Sequence, residues 1–168
     1  MVGGLMATFK VGSGIDKYLS QLEDLSTSSE EMIKRSVYVG AGIVTDAVRK
    51  NIEGLPVRDS EEFVPGRMVN GVTATQKAGL LAGLGIAPFR NENGYVHVKV
   101  GMDGYNATRR KKYPNGQPNA MVARSVESGT SWMVKHPFIA PAVSATRASA
   151  EAAMAKAFDE QCKQHMEV

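Results

Sequence analysis

Residues 122–142 read VARSVESGTSWMVKHPFIAPA, and this stretch decides how the last third of the chain folds. Residues 121–127, which overlap its beginning, predict a β-strand. In that strand Val122 and Val126 point to the core, while Arg124 points to solvent. A strand here requires a reversal of the chain before the next element can pack against it.

Turn and helix signals follow this predicted strand. Gly129 permits a sharp backbone reversal because glycine has no Cβ. Pro141 suits the first turn of a helix, and Phe138 with Ile139 can close the start of that helix. Residues 142–164 are rich in strong helix formers and predict a long C-terminal helix.

The first third of the chain predicts two helices. Residues 15–25 form a short amphipathic pattern. Ser28 followed by Glu31 has the spacing of a capping box, which predicts a new helix over residues 29–52. Gly54 then ends this second helix.

The middle of the chain predicts short strands between two long loops. Residues 55–77 and 103–119 each carry two prolines and two glycines and are assigned as long loops. Residues 80–86 alternate between apolar residues and small ones, which predicts a strand with one closely approached face. Asn93-Gly94 is a hairpin turn signal, and a second strand follows at residues 95–100.

Together these elements predict an α+β fold. Two long helices pack on a small antiparallel sheet of three or four strands, within a single domain over residues 1–168. We expect residues 1–14 to be flexible. We expect no secretory leader, because the first residues lack an apolar core of about 7–15 residues, and no membrane-spanning helix, because the apolar runs are shorter than the ~20 residues that one needs.

Composition and titratable residues give little support to catalysis. The net charge is +3, which is too mild to indicate nucleic-acid binding by itself. The lone Cys162 excludes an internal disulfide and suits a reducing cytosol. Cys162 and His165 lack the further ligands of a zinc site, and an enzymatic role has only Glu127 and His136 as candidates. We therefore expect no cofactor, no metal and no enzymatic activity.

One basic run is the sharpest charge feature. It consists of Arg109, Arg110, Lys111 and Lys112, flanked by Tyr105 and Tyr113. Four adjacent cations beside aromatic rings could contact nucleic-acid phosphates and bases. A solvated loop tip and a contact with an acidic neighbouring subunit are the two other interpretations.

The order of residues around the predicted reversal resembles a family of neck proteins from long-tailed, lambdoid-type bacteriophages, the head–tail joining or tail-completion proteins. The matching positions are Val126, Glu127, Gly129, Thr130, Pro137, Phe138, Ile139, Pro141 and Ala142. An early long helix and a proline-containing linker at residues 55–57 agree with the same family. This chain departs from the family pattern by an insertion after that linker and by a longer loop at residues 103–119.

The resemblance implies a non-enzymatic structural protein of the virion neck, made in the cytoplasm of the host bacterium. Such proteins form rings, here expected to be six- or twelve-fold, between portal-side adaptor or stopper proteins and tail terminator or tail-tube proteins. Contact with packaged DNA is possible in that position, and contact with a membrane is not expected. The alternative is a small DNA-binding accessory protein that uses residues 109–112.

Aromatic residues are the candidate anchors of protein–protein contacts, because aromatics dominate binding hot spots. Trp132 is the first candidate, although it could instead cap the core. The other candidates lie in the two long loops and are Phe63, Tyr105 and Tyr113.

Overall fold

A computed structural model describes residues 13–59 and 66–166 of the chain. Within these ranges the chain forms four helices and six short strands. In chain order they are α1 Ser13–Glu53, α2 Ala74–Gly83, β1 Leu84–Ile86, β2 Arg90–Glu92, β3 Tyr95–His97, β4 Val100–Met102, β5 Tyr105–Asn106, β6 Gln117–Pro118, α3 Asn119–Ser128 and α4 Ile139–Met166. The fold is α+β, as predicted.

The first helix is continuous, and the predicted break before residue 29 is wrong. Helix α1 has 41 residues and is therefore about 60 Å long. Its Ser/Thr run stays helical because the hydroxyls bond back to the preceding turn: Thr27 Oγ1 donates to the carbonyl of Glu23 at 3.1 Å, and Ser29 Oγ donates to that of Ser26 at 2.8 Å. No helix starts here for a capping box to cap.

Helices α1 and α4 run antiparallel and contact each other over most of their length. Near the start of α1, Gln21 Nε2 donates to the Met166 carbonyl at 2.9 Å. Further along, Gln161 Nε2 donates to Ser36 Oγ at 3.2 Å. The backbones come close at Gly40, where an added Cβ would lie 2.6 Å from Met154 Cγ. Small residues on α1 thus allow α4 to lie close against it.

The hydrophobic core lies at one end of this helical pair. Its main cluster draws on α1 from Val44 onward and on α4 up to Ala142, while Met32, Ala41 and Ala150 are buried further along the pair. We call residues 13–40 of α1 together with residues 154–166 of α4 the arm, because they lie beyond this core. The buried core residues are Val48, Ile52, Leu55, Val72, Leu80, Leu84, Val122, Ala123, Val126, Met133, Phe138 and Ala142.

The strands form three separate two-stranded antiparallel ladders rather than one sheet of three or four strands. β1 pairs with β4, β2 with β3, and β5 with β6. Asn93 and Gly94 connect β2 to β3 with φ angles of 56° and 86°, as the hairpin signal predicts. The second predicted strand is also shorter than expected, because β3 ends at His97 and β4 starts at Val100.

The strand predicted over residues 80–86 is wrong for most of its length. Residues 74–83 form α2, and only Leu84–Ile86 is extended. Thr73 and Gln76 form a capping box that starts this helix. Other residues do approach the glycines of this segment closely. An added Cβ would lie 2.3 Å from Asn106 Cβ at Gly79 and 2.2 Å from the Asp103 carbonyl oxygen at Gly83. These two glycines are four residues apart, which is the spacing of one helix face.

The strand predicted over residues 121–127 is a helix, α3. Val122 and Val126 are buried and Arg124 is exposed, as predicted. Val122 and Val126, four residues apart, would lie on one side of a strand and equally on one face of a helix. Arg124 would share their side in a strand, so its exposure fits the helix and not the predicted strand. Among the described helices, none is long and apolar enough to cross a membrane.

Candidate functional site

The signature residues meet at the junction between α3 and α4, which we call the connector (residues 127–142). Its central feature is the carboxylate of Glu127 at the end of α3. Oε2 accepts the backbone N–H groups of Phe138 at 2.7 Å and Ile139 at 2.8 Å, and Oε1 accepts that of Ala140 at 2.9 Å. These amides begin α4 and have no partner within their own helix. Glu127 therefore caps α4 from a different helix.

The pKa of Glu127 reflects this arrangement. Partial burial raises the pKa, because it disfavours the charged form. The hydrogen bonds from the amides of Ile139, Ala140 and Phe138 act in the opposite direction, as does the positive charge of Lys135. Their sum exceeds the effect of burial, so the pKa of Glu127 lies below its ordinary value and the carboxylate is charged at neutral pH.

Gly129 allows the chain to reverse after α3. Its φ of 73° lies in the left-handed region, and a Cβ there would lie 3.1 Å from Lys135 Cβ. Thr130 and Met133 then exchange backbone hydrogen bonds across a tight turn. Trp132 lies in this turn with 36% of its surface exposed, whereas Met133 points into the core. Both interpretations of Trp132, an interface anchor and a core cap, stay predictions.

A second segment, which contains Val69 and Asn70, forms hydrogen bonds with the connector. The backbone N–H of Val69 donates to the Trp132 carbonyl at 2.8 Å, and that of Val134 donates to the Val69 carbonyl at 2.9 Å. The imidazole of His136 bonds through Nε2 to Asn70 Oδ1 at 2.5 Å. Val69 and Asn70 are thus held against the connector, and α2 begins shortly after them at Ala74, so the predicted loop ends at Thr73 rather than at residue 77.

Phe138 joins three helices at one residue. Its N–H is held by Glu127 of α3, and its carbonyl accepts a hydrogen bond from Asn51 Nδ2 of α1 at 2.9 Å. Its side chain is 1% exposed and belongs to the core. Ala142 is buried as well, whereas Pro137 and Pro141 are exposed. Residues of α1, α3 and α4 therefore meet at one structural joint.

The candidate catalytic pair is not assembled at this joint. The carboxylate of Glu127 is engaged by the amides of α4, while the imidazole of His136 is engaged by Asn70. An open cleft of about 370 Å³ lies beside the connector, and His136 is the one titratable side chain among its described lining residues. Across residues 13–59 and 66–166, no three His, Cys, Asp or Glu side chains are grouped so that they could hold a metal ion.

The loop at residues 103–119 has an ordered base formed by β5, β6 and buried amide side chains. Asn106 Nδ2 donates to the Gln117 carbonyl at 2.9 Å, and Asn106 Oδ1 accepts the Thr108 N–H at 3.0 Å. Gln76 of α2 donates through Nε2 to Gln117 Oε1 at 2.8 Å. Asn119 Nδ2 donates to the Asp103 carbonyl at 2.8 Å. Both ends of the loop are thereby attached to α2 and α3.

The basic run lies at the exposed end of this hairpin, and we call Arg109, Arg110, Lys111 and Lys112 the basic tip. Arg110 and Tyr113 exchange backbone hydrogen bonds that close a tight turn. The Tyr113 hydroxyl donates to Met121 Sδ at 3.0 Å, and Lys112 Nζ lies 5.6 Å from the centre of the Tyr113 ring. Tyr105, in contrast, is 69% exposed.

Comparison with known proteins does not place this chain in a family. No family model matches it, and neither does any curated protein or solved structure. The relationship to phage neck proteins therefore stays a prediction that rests on the signature residues of the connector.

The sequence singled out the connector and the basic tip, and the structure shows that they lie on different parts of the fold. Phe63, the remaining candidate anchor, lies outside the described residues. The amide network of Gln76, Asn106, Gln117 and Asn119 was not predicted. The capping-box spacing of Thr73 and Gln76 is the one local signal that could have indicated it.

Proposed function

We propose that this chain is a non-enzymatic structural protein of the bacteriophage neck, which assembles into a ring and joins or completes the head–tail connection. The observation that carries the proposal is the joint at Glu127 and Phe138. The residues that resemble the neck-protein signature converge on this joint, where one carboxylate organises the start of α4. A role in the joint gives the spacing of the signature a physical reason.

The proposed role needs a rigid body that offers separate contact surfaces. The joint ties α1, α3 and α4 together at Phe138, so the long helices keep a defined orientation relative to the core. Trp132 and the basic tip are exposed on attached turns and can contact neighbours without a large ordering cost. Ring formation requires such distinct surfaces, because each copy meets its two neighbours through different faces.

In this proposal the partners are further copies of the chain in a six- or twelve-fold ring, portal-side adaptor or stopper proteins on the head side, and tail terminator or tail-tube proteins on the other. The protein would be made in the host cytoplasm and end in the virion neck. The basic tip could then contact packaged DNA, since phosphate contacts need no particular base sequence.

Light scattering coupled to size exclusion tests the assembly of the purified chain, alone and mixed with its portal-side partner. We expect a ring in at least one of the two conditions. Deleting the gene from the phage that carries it should leave filled heads and finished tails that do not join, visible by electron microscopy. Complementation with the wild-type gene is the control. Normal virions without the protein would refute the proposal.

A DNA-binding accessory protein is the second candidate. It is favoured by the exposed basic tip and by the exposed Tyr105 in β5 of the same hairpin. Replacing Arg109, Arg110, Lys111 and Lys112 with Ala should then abolish DNA binding. If Z phosphates are contacted, the logarithm of the wild-type binding constant should fall against the logarithm of salt concentration with a slope of about −0.9Z. Wild-type protein that binds no DNA at low salt would exclude this candidate.

A further inference from the structure

Two exposed surfaces of opposite charge lie on separate parts of the molecule. The first is the basic tip, whose hairpin packs against α2 and α3. The second is on the arm: Glu23, Asp24, Glu30 and Glu31 of α1 are all exposed. Their spacing of one and seven residues places them on one face of the helix, which we call the acidic face. Leu25 and Met32 are less exposed and lie on the side nearer to α4.

Four acidic side chains share this face with the basic Lys34 and Arg35, which lie eleven residues after Glu23 and Asp24, so the face keeps an excess of negative charge. Glu31 contacts Lys34 and Arg35 at 3.4 Å in the same helix. Glu23, Asp24 and Glu30 form no salt bridge with any described residue. The three salt bridges of the described ranges are all within single helices, so none joins the acidic face to the basic tip of the same molecule.

We propose that the basic tip of one copy docks on the acidic face of α1 in a second copy. Within the ring of the proposed function, on which this inference rests, the pairing is head-to-tail: each copy offers its tip to one neighbour and its acidic face to the other. Such heterologous contacts generate a closed ring when the rotation between copies closes. Charge complementarity selects the partner and speeds the encounter.

Three observations favour a second copy over nucleic acid as the occupant of the tip. The tip is presented by a hairpin whose base is held by buried amides, which suits docking on a defined surface. The Tyr113 ring and hydroxyl are already engaged by Lys112 and Met121, so this aromatic is less available for base stacking. The whole chain carries a net charge of only +3, so its overall electrostatic attraction for DNA is weak.

A charge-exchange experiment tests the docking. A tip-reversed variant carries Arg109→Glu, Lys111→Glu and Lys112→Glu, and a face-reversed variant carries Glu23→Lys, Asp24→Lys and Glu30→Lys. Sedimentation velocity should show that each variant alone self-associates at least about tenfold more weakly than wild type. An equimolar mixture should recover association, because each reversed surface then meets a complementary one on the other variant.

The matched control for charge carries Glu151→Lys, Asp159→Lys and Glu160→Lys, three exposed acidic positions of α4. It changes net charge as much as face reversal does, and it should assemble like wild type.

Wild-type association should also weaken at least about tenfold between 0.1 M and 1 M salt, as the Debye length falls from about 10 Å to about 3 Å. Circular dichroism verifies that every variant is folded.

The outcomes separate this inference from the proposed function. A ring that forms equally well in both reversed variants, or a mixture that recovers nothing, overturns the docking and leaves the neck-protein proposal standing. Loss of DNA binding with unchanged self-association in the tip-reversed variant overturns it in favour of nucleic acid. A wild-type chain that stays monomeric alone and with its portal-side partner overturns both proposals.

Discussion

The carboxylate of Glu127 accepts the backbone N–H of Phe138 at 2.7 Å, although the two residues belong to different elements. Helix caps are usually supplied by the residue directly before the helix. Here the cap comes from the last turn of α3, so formation of α4's first turn depends on the packing of α3 against it. The start of α4 and the position of α3 are consequently coupled.

Removing this cap should destabilise the fold measurably. We expect Glu127→Ala to lower the free energy of unfolding by about 2 kcal/mol, because three amides lose a charged acceptor. For a chain of this length the melting temperature should fall by about 4–8 °C. Differential scanning calorimetry measures both quantities.

Glu151→Ala is the matched control, because Glu151 is an exposed glutamate on α4 with no role at the connector. It should change stability by less than about 0.5 kcal/mol. Equal melting temperatures for the two variants would show that the cap contributes nothing beyond an ordinary surface carboxylate.

The lowered pKa of Glu127 predicts a particular pH dependence. A carboxyl group whose pKa is lowered by folding stabilises the folded state fully above its ordinary pKa of about 4.5, and this contribution is lost as pH falls through the lower folded value. The stability advantage of wild type over Glu127→Gln should therefore be constant near neutral pH and shrink below about pH 4.5.

Urea unfolding from pH 7 to pH 3 measures this difference. The pKa of Glu31 is also lowered, chiefly by the side-chain hydrogen bond from Lys34, so wild type alone does not isolate Glu127. Subtracting the Glu127→Gln curve removes the Glu31 contribution. A difference that stays constant down to pH 3 contradicts the role of the charge.

Replacing each of two helical glycines with alanine should change the free energy of unfolding in opposite directions. Gly79→Ala places a Cβ 2.3 Å from Asn106 Cβ and should destabilise by about 1–3 kcal/mol through overpacking. Gly42→Ala has no atom within 4 Å of the new Cβ and should stabilise by up to about 1 kcal/mol through helix propensity. Chemical denaturation of both variants checks the sign, and stabilisation by Gly79→Ala would contradict the close packing at α2.

Accessibility of the basic tip should depend on the buried amides below it. Asn106→Ala leaves the buried Thr108 N–H without its acceptor, which costs about 1–3 kcal/mol locally. We expect native-state trypsin to cleave within residues 109–112 faster in this variant than in wild type. Asn115→Ala, at an exposed position of the same loop, is the control. Identical cleavage rates in all three proteins would mean that the amides do not restrain the tip.

The α+β class, the two long helices and the Asn93-Gly94 hairpin follow from local patterns. Two strand assignments failed for a common reason. Val122 and Val126, and equally the buried Leu80 and Leu84, are four residues apart, a spacing that suits one side of a strand and one face of a helix alike. The break in α1 was wrong because Ser and Thr hydroxyls bond within the helix as readily as they cap one.

The candidate functional site could be predicted only in part from the sequence. The residues singled out around positions 126–142 lie together at the connector, but the role of Glu127 depends on where α3 places its carboxylate, which is a tertiary relationship. The network around Asn106 is similar, because Gln76 and Gln117 meet only after α2 folds against the hairpin. Local patterns carry no information on such pairings.

The contact between Gln21 and the Met166 carbonyl has a practical consequence, because it brings the opening turns of α1 beside the closing turn of α4. A short engineered linker between these helices, with new termini opened at the exposed Asn93-Gly94 turn, should yield a circular permutant that keeps the same packing. Fluorescent labels could then be attached at either location without touching the connector.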